Sequence, residues 1–454
     1  MGRNDWWKEE MGRVPEIRTK VPGPKSEEQH GRCTKYFVGL SSQVSLCPVV
    51  FESGKGCTLT DVDGNRYMDF SSGIYVTGLG HCHPKISEAV AHWANRLMNC
   101  HDFTTPVKMQ LVEKLHEITG GRFGGFQFYD SGTTAVEAGL RCARAATGKY
   151  EFYSFWRDFH GKTLGAVSLA VVGADSHMRA PGFYLAARPN PYRDAFGRTK
   201  EEALKDSTPY IRLLEQSIDN ESSGHVAAIV LEPIQGWNGS VVPPDDFLPK
   251  LRELCDRKGI LLFADEVLTC MSRTGSYLAM DHWGVTADIT TLGKGFGNGF
   301  PVTAMCVSKE LAPAVEKISA SSSYGGNPMA CAAALASIEV IEEEQLNERS
   351  AHLGELALKK MEEIKAAHKI VGDVRGKGCL LAMELVKDRE TKEPFEEAGN
   401  LVYKKSFEKG LAWVPSKHIL RLSPPMIMED EMLLKGFDII EDAIAETEKE
   451  LGYC

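Results

Sequence analysis

The sequence predicts an α/β fold, in which a mainly parallel central sheet is covered by helices and accompanied by a smaller α+β domain. Between residues 126 and 308, short apolar runs alternate with helical or loop segments, at FQFY, VAAIVLEP, ILLFADEV, ADITTLGK and VTAMCVS. Near-continuous apolar strands of this kind are typical of parallel sheets that are buried on both faces. Beyond Pro328 the chain changes to helices rich in Ala, Glu and Lys, which indicates a second domain.

The elements follow in order along the chain. Two alternating runs around Asp63-Gly64 predict a β-hairpin, and apolar residues mark one face of the last helix, at Leu433, Phe437, Ile440 and Ile444. The predicted divisions are an extended N-terminal arm (1–35), the N-terminal part of the small domain (36–80), a large domain (81–330) and the C-terminal part of the small domain (331–454). The small domain is therefore expected to be built from both chain ends.

Composition narrows the classes of function. The chain has 454 residues, 43% of them hydrophobic and 25% charged, as in ordinary globular proteins. Its formal charge of -10 argues against binding to nucleic acid or to an anionic membrane, which leaves small molecules as the expected partners. Neither a membrane span nor the apolar core of a signal peptide is apparent, so we expect a cytoplasmic protein. The 12 cysteines lack paired spacing and predict reduced thiols.

The 43 glycines cluster where strands give way to loops or helices. In the first cluster, Ser131, Gly132 and Thr133 follow a strand and precede a helix. Free backbone amides and the positive end of the helix dipole would face an anion placed there, so this segment predicts a phosphate cup. The alternative is an ordinary Ser/Thr helix cap without a ligand.

Two charged residues lie at the carboxyl ends of apolar strands. Lys294 follows the ADITTL strand among glycines, where desolvation would let its amine act as a nucleophile. Asp265 ends the run ILLFA, where a buried carboxylate requires a cation: a protonated ring nitrogen, or alternatively an Arg or Lys. Phe159 and His160 offer an aromatic face to a flat ring, with ordinary core packing as the alternative.

A lysine for a Schiff base, an aspartate for a pyridine nitrogen and a helix N-terminus for a phosphate are together what pyridoxal phosphate requires of a protein. With these residues in place, the chain resembles the class III, or ω-type, aminotransferases of fold type I over nearly its whole length. The matching motifs are DVDGNRYMDFSSG, LGHCHPKI, DSGTTAVEAGLRCAR, FHGKT, LEPIQG, FADEVLTCMSRTG, TLGKGFGNGFP, SYGGNPMACAAALA and RLSPP. The resemblance implies pyridoxal 5'-phosphate as the cofactor.

The resemblance also implies roles for individual residues. Lys294 would form the Schiff base and move a proton, and Asp265 would keep the pyridine nitrogen protonated, so these two are the expected catalytic residues. Val267 would pack under the ring and Phe159 over its other face. The further cofactor-binding residues that it implies are Ser131, Gly132, Thr133, His160, Glu232 and Ser323. Ser323, where the family usually has Thr, would reach the phosphate of a neighbouring subunit, which implies a homodimer with active sites at its interface.

The resemblance assigns the substrate to a second group of residues. Glu232 and Arg421 match a family pair in which the glutamate can mask an arginine that binds an α-carboxylate. A structural ion pair is the alternative for Arg421. Ile74 and Tyr75 are expected to be pocket walls, and Trp237 is expected to contact substrate. A metal site is not expected, because the His81-Cys82-His83 segment matches a structural turn of the family.

The function implied is an aminotransferase with a ping-pong Schiff-base mechanism. Its partners would be an amino donor, glutamate or another amino acid, and an aldehyde or ketone acceptor without an α-carboxylate. An oxidised amino sugar of aminoglycoside antibiotic biosynthesis is one such acceptor. The alternatives are an aminomutase or racemase of the same fold, an ω-amino acid or diamine aminotransferase, and a cofactor binder without catalysis, which the presence of Lys294 and Asp265 disfavours.

Two departures from the family pattern bear on the site. Leu268 replaces the Gln that many relatives carry beside the cofactor phenolic oxygen, so that hydrogen bond is not expected here. Trp237 follows EPIQG where amino-acid-specific relatives often have Glu or a small residue. A polar, bulky substrate would suit these changes.

Overall fold

The computed structural model of the protein describes residues 4–170 and 179–453. Residues 1–3 of the predicted arm, 171–178 of the predicted large domain and residue 454 lie outside the described residues. The chain divides into two compact units, Met1–Pro84 with Ile341–Cys454, and Lys85–Val340. Within the described ranges, no helix combines the length and the apolar character needed to cross a membrane.

The strands follow one another along the chain as β1 Phe51–Lys55, β2 Thr58–Asp61, β3 Arg66–Asp69, β4 Phe123–Tyr129, β5 Glu151–Phe155, β6 Phe183–Ala186, β7 Val226–Leu231, β8 Leu261–Glu266, β9 Ile289–Leu292, β10 Thr303–Ser308, β11 Val371–Lys377, β12 Leu380–Leu385, β13 Leu411–Ala412, β14 Val414–Ser416 and β15 Ile419–Leu422.

The α-helices are α1 Lys8–Met11, α2 Pro24–Cys33, α3 Ser42–Leu46, α4 Ser72–Tyr75, α5 Pro84–Ala94, α6 Pro106–Ile118, α7 Gly132–Thr147, α8 Leu164–Ser168, α9 Lys200–Lys205, α10 Thr208–Glu221, α11 Phe247–Lys258, α12 Ala312–Val315, α13 Pro328–Glu343, α14 Leu346–Ala367, α15 Glu396–Glu408 and α16 Asp430–Leu451.

The unit Lys85–Val340 is built on a seven-stranded sheet with the order β4-β10-β9-β8-β7-β5-β6. Strands β9, β8, β7, β5 and β6 pair in parallel, whereas β10 is antiparallel to both of its neighbours. The mainly parallel sheet predicted from the sequence is therefore confirmed. β10 reverses because only a short connection follows β9, too short for the crossover helix that a parallel partner requires.

Helices cover both faces of this sheet. Along β8, Phe263 belongs to the apolar core that contains α7, while Leu262 and Ala264 belong to the core that contains α10 and α11. This alternation follows from the two-residue period of a strand, whose successive side chains point to opposite faces. Because both faces are buried, the polar groups of the site are confined to the strand ends and the loops beyond them.

The unit formed by the two chain ends contains two four-stranded sheets, ordered β1-β2-β3-β13 and β11-β12-β15-β14. β2 and β3 pair as antiparallel strands, which confirms the hairpin predicted at Asp63-Gly64. β13 pairs in parallel with β3, through Leu411 with Met68, so the C-terminal part of the chain completes a sheet begun by the N-terminal part. The long helix α16 buries the predicted stripe of Leu433, Phe437, Ile440 and Ile444.

The N-terminal arm differs from the extended segment expected from its composition. Trp7 is fully buried, and a methyl group built on Gly56 would lie 2.2 Å from its Cδ2 atom. Glu16 and Arg66 form a β-bridge with each other, and Pro24 begins the helix α2. Trp7 therefore packs against the turn between β1 and β2, and the removal of its apolar surface from water stabilises the folded arm.

The contact between α7 and β8 generates a stability prediction. A methyl group on Gly139 would lie 2.5 Å from the Phe263 ring, so we expect Gly139→Ala to lower the free energy of unfolding by about 1–3 kcal/mol through overpacking. The matched control is Gly31→Ala, because nothing lies within 4 Å of that position in α2. Guanidinium unfolding followed by tryptophan fluorescence measures both. Equal midpoints for the two variants would contradict this description of the core.

Candidate active site

Asp265 lies near the carboxyl end of β8, where its buried carboxylate is held by three donors. Thr291 Oγ1 donates to Oδ1 at 2.7 Å, and the backbone N–H of Val267 donates to the same oxygen at 3.1 Å. The ring Nδ1 of His160 is 2.7 Å from Oδ2. The adjacent parallel strand β9 supplies Thr291, because Asp265 and Thr291 are register partners. Asp265 is thus fixed in position by its strand neighbours and by one histidine.

His160 connects Asp265 to a second buried carboxylate. Its Nε2 lies 3.2 Å from Ser154 Oγ and 3.8 Å from Asp158 Oδ2. Burial of the ring opposes its protonation, but the hydrogen bond to Asp265, followed by the charges of Asp265, Asp158 and Glu232, outweighs this effect and raises the pKa of His160. The surroundings therefore favour a positively charged ring beside Asp265.

Asp158 is a buried residue that the sequence reasoning missed. It accepts hydrogen bonds from Arg188 Nη1 at 2.9 Å, from Gln235 Nε2 at 2.5 Å and from the backbone N–H of Glu232 at 3.0 Å. These bonds join the loop after β5 to the loop after β7. The available signal was its position directly before Phe159 and His160, in a segment that follows a buried strand.

Lys294 is separated from the end of β9 by Gly293 and lies in the left-handed backbone region, with φ of 46°. It is partly exposed. A methyl group on the preceding Gly293 would lie 3.0 Å from Val267 Cγ1, and one on Gly132 would lie 2.9 Å from the same atom. Val267 therefore packs against both Gly132, at the N-terminus of α7, and Gly293, the residue before the lysine.

The predicted phosphate cup is the N-terminus of α7. Ser131 and Thr134 form a capping box, so Ser131 also performs the ordinary capping role that was the alternative. Gly132 and Thr133 occupy the first two helical positions, whose amides have no acceptor within the helix. Thr133 Oγ1 lies 2.6 Å from Thr163 Oγ1. Ser131 therefore caps α7, and the backbone amides of Gly132 and Thr133 remain in a position to bind an anion.

Glu232 is a buried carboxylate that holds two loops. Its Oε1 accepts the backbone N–H of Phe159 at 3.3 Å, and its Oε2 accepts that of Gly236 at 2.9 Å. Burial, followed by the charge of Asp158, raises the pKa of Glu232 well above that of an ordinary glutamate. The ring of Phe159 stacks on Trp237, with centroids 5.3 Å apart and planes inclined by 25°.

The predicted residues Ile74, Tyr75 and Arg421 lie in the unit formed by the two chain ends. Ser72, Gly73, Ile74 and Tyr75 all have positive φ, between 46° and 65°, so α4 is a left-handed turn made mostly of non-glycine residues. Such backbone is costly and persists only where surrounding contacts impose it. Tyr75 is buried and Ile74 is partly exposed.

This left-handed turn is tied to the strand that carries Arg421. Ser72 Oγ donates to the carbonyl of Ser423 at 2.6 Å, and Ser423 Oγ donates to the carbonyl of Ser71 at 2.8 Å. Arg421 itself is buried, and its Nη2 donates to the carbonyl of Pro415 at 3.1 Å. The three predicted substrate residues of this unit therefore share one hydrogen-bonded frame. The pairing of Arg421 with Glu232 stays a prediction.

Ser323 is set apart from the residues around Asp265. It is exposed, and its carbonyl accepts a hydrogen bond from Asn99 Nδ2 at 2.7 Å. Its expected role toward a neighbouring subunit stays a prediction. Across the described ranges, the structure holds no cluster of three or more His, Cys, Asp or Glu side chains arranged to bind a metal ion.

Glu266 follows Asp265 on the opposite side of β8 and serves a different purpose. Its carboxylate accepts Thr269 Oγ1 at 2.7 Å, the backbone N–H of Ala279 at 2.7 Å and that of Met280 at 3.0 Å. It thereby fastens the loop that begins at Val267. Burial raises the pKa of Glu266 to about 7, against the opposing effect of these hydrogen bonds.

The residues present fit pyridoxal phosphate. Asp265 offers an anionic oxygen to a protonated ring nitrogen, Lys294 offers a primary amine, and the first amides of α7 face a phosphate. The absence of side chains at Gly132 and Gly293 lets backbone from two elements approach Val267, which leaves the branched side chain as a small apolar surface for a ring.

Comparison with known proteins agrees with this geometry. Residues 40–444 match the family model of class-III aminotransferases. The chain belongs to the class-III aminotransferase family. It is 35% identical to the leucine/methionine racemase of Thermococcus litoralis, over 94% of this chain and 97% of that protein. It is also 35% identical to a 5-aminovalerate aminotransferase of Pseudomonas putida, over 88% and 94%.

Solved structures of this family share the fold. The structure of an amine transaminase from an uncultivated Pseudomonas species, in its PLP-bound form, superposes with a TM-score of 0.85. Its sequence is 29% identical, and the match covers 91% of this chain and 98% of that one. The expected fold type I and the expected cofactor, pyridoxal 5'-phosphate, are therefore confirmed for this class-III aminotransferase.

The raised pKa of Glu266 predicts a pH effect on stability. Because the folded protein binds this proton more tightly than the unfolded chain, the contribution is present below about pH 4.5 and is lost as pH rises through about 7. Over this range, we expect wild type to lose on the order of 3 kcal/mol more unfolding free energy than Glu266→Gln. Denaturant unfolding from pH 5 to 8 measures the difference.

The exposed Glu253 of α11 provides the matched control, because Glu253→Gln should retain the wild-type pH dependence. Glu266→Gln should also have a lower free energy of unfolding at low pH. The Gln side chain would place an NH₂ group against one of the donors that now bond to a Glu266 oxygen, and an amide nitrogen cannot accept that hydrogen bond. Parallel pH curves for wild type and Glu266→Gln would refute the assignment.

Proposed function

We propose that the protein transfers an amino group from glutamate or another amino acid to an aldehyde or ketone that lacks an α-carboxylate. The observation that supports this proposal is that Asp265, Val267 and Lys294 lie at or just beyond the carboxyl ends of the neighbouring strands β8 and β9, with Val267 packed against Gly132 of α7 and against Gly293. Pyridoxal phosphate, when bound, supplies the aldehyde that carries nitrogen and the ring that withdraws electrons. A ping-pong reaction follows, in which donor and acceptor use the same site in turn.

Asp265 holds a proton on the ring nitrogen in this proposal. Three donors hold the two oxygens of its carboxylate in position. The positive charge favoured on His160 stabilises the same carboxylate from the other side. Asp158, together with Ser154, holds the far edge of the histidine ring. His160 thus lies between two buried aspartates, Asp158 and Asp265, of which Asp265 would face the ring nitrogen.

When pyridoxal phosphate is bound, Lys294 would hold its aldehyde through Nζ and, once free, would move a proton at that atom. Lys294 is separated from the end of β9 by one residue, Gly293, and neither Gly293 nor Gly295 adds a side chain that competes for the space. The backbone amides of Gly132 and Thr133, at the start of α7, would hold the phosphate.

The substrate groups of the proposal lie in the other unit. Arg421 binds the α-carboxylate of the donor and pairs with Glu232 when the acceptor has none. Ile74 and Tyr75 line the pocket, a role supported by the strained left-handed turn that presents them, since such strain is concentrated at functional sites. Ser323 completes the phosphate site of a neighbouring subunit, which makes the enzyme a homodimer.

A racemase of the same fold is the second candidate. It is favoured by the 35% identity to a leucine/methionine racemase over 94% of the chain. Both reactions require the lysine and the aspartate, so these residues do not discriminate between them. The need for an acceptor distinguishes the two reactions, because a racemase returns the proton to the same molecule and requires no second substrate.

Modification of Lys294 tests the site. We expect borohydride reduction of the loaded enzyme, followed by peptide mapping, to place the pyridoxyl group on Lys294. Lys294→Ala should lower kcat by at least about 10²–10⁴-fold, the usual worth of a general acid–base group. Lys309→Ala, at an exposed position after β10, is the control and should retain both adduct and activity. An adduct on another lysine would overturn the assignment.

Turnover with and without an acceptor distinguishes the two reactions. With L-glutamate and no carbonyl compound, we expect about one equivalent of product per site and no further turnover, because the nitrogen has nowhere to go. Adding aldehydes or ketones without an α-carboxylate, an oxidised amino sugar among them, should restore turnover. The control is Lys294→Ala.

Chiral chromatography of single-enantiomer leucine, methionine and alanine provides the complementary measurement. Continuous formation of the opposite enantiomer without an acceptor would establish the racemase instead. Turnover with α-keto acids alone would contradict the proposed acceptor class.

A further inference from the structure

Trp237 stands against the ring of Phe159 and is only partly exposed. The two rings are nearly parallel, inclined by 25° with centroids 5.3 Å apart, and 38% of Trp237 is exposed. In a stacked arrangement each ring covers one face of the other. Since Phe159 has two faces, only one remains for a further ring.

The loops that carry the two rings are fixed to each other. Glu232 accepts the backbone N–H of Phe159 and that of Gly236, the residue before Trp237. Gln235 donates to the carbonyl of Trp156 at 2.9 Å, which adds a second link between the loops. The two loops are therefore joined by three hydrogen bonds, which are made by the buried side chains of Glu232 and Gln235.

Leu268 further restricts the start of the Trp237 side chain. A methyl group on Gly236 would lie 2.2 Å from Leu268 Cδ1, so the backbone at Gly236 is pressed against this leucine. This contact fixes the backbone directly before Trp237, whose indole stacks on Phe159.

We propose that Trp237 is a positioning residue, which backs Phe159 and holds that ring against the cofactor. The inference rests on the proposed function, in which Phe159 covers one face of the pyridine ring. If that face of Phe159 contacts the cofactor, Trp237 occupies the other, and the order is cofactor, phenyl ring, indole. Trp237 then contributes to cofactor retention, a different task from the substrate contact expected from the sequence.

Cofactor binding tests this proposal without relying on turnover. Apoenzyme of each variant is titrated with pyridoxal phosphate, and the dissociation constant is taken from the absorbance of bound cofactor. Trp237→Ala and Trp237→Leu should weaken binding by about two- to tenfold, the worth of one aromatic stack. Trp237→Phe, which can still stack, should remain close to wild type. Circular dichroism and the thermal midpoint confirm that each variant is folded.

The matched control is Trp156→Ala. Trp156 lies in the same loop as Phe159, and 53% of it is exposed. This variant should leave the dissociation constant unchanged. In a Phe159→Leu background, Trp237→Ala should have no further effect, because the ring that it backs is gone. An unchanged dissociation constant for Trp237→Ala together with an altered substrate KM would overturn the proposal in favour of a pocket wall.

The same series separates failure of this inference from failure of the proposed site. If Phe159→Leu weakens cofactor binding and Trp237→Ala does not, only the backing role is wrong. If Phe159→Leu also leaves binding unchanged, the placement of the cofactor against Phe159 is wrong, and both ideas fall together. Equal losses for Trp237→Ala and Trp156→Ala would likewise overturn the proposal, since the effect would not depend on the stack.

Discussion

The burial of one carboxylate, that of Asp265, is the constraint on which the rest of the site depends. A charged group at the end of a strand covered on both faces is costly unless it is hydrogen-bonded and balanced by a positive charge. The chain meets this requirement with Thr291 from the next strand, the backbone of Val267 and the ring of His160. Thr291 is placed opposite Asp265 by the pairing of β8 with β9, and Val267 follows β8 directly, so the hydrogen bonds of Asp265 depend on the register of the sheet.

Two further buried carboxyl groups, those of Glu232 and Asp158, join the loops that follow the strands of the sheet. Glu232 accepts hydrogen bonds from the loop that carries Phe159 and from the one that carries Trp237, while Asp158 accepts from Arg188 and Gln235 and from the Glu232 backbone. Removing any one donor would leave a buried acceptor with fewer partners, which carries a large energetic penalty. The loops that carry Phe159 and Trp237 are therefore held together by hydrogen bonds to buried side chains.

The residues predicted to bind the cofactor and most of those predicted to bind the substrate lie in different compact units of the chain. The groups that suit the cofactor lie in Lys85–Val340, and the arginine and the left-handed turn assigned to the substrate lie in the unit formed by the chain ends. Relatives that are 35% identical include a racemase and an aminotransferase. At this level of identity the family therefore includes enzymes that catalyse different reactions.

The sequence by itself determined the sheet, the hairpin and the family, because these depend on local patterns: apolar runs, glycines at strand ends and fixed motifs. The roles of Lys294 and Asp265 stay predictions from those motifs. The strands β5 and β6 and the role of Asp158 were not predicted. Their partners lie tens of residues away in the sequence, where no local pattern can indicate the pairing. The packing of the arm also required the fold, since Trp7 is buried against Gly56, in the turn between β1 and β2. Only the tertiary structure decided that Phe159 already has one face covered by Trp237, because a contact between two loops is set by the strands that bring them together.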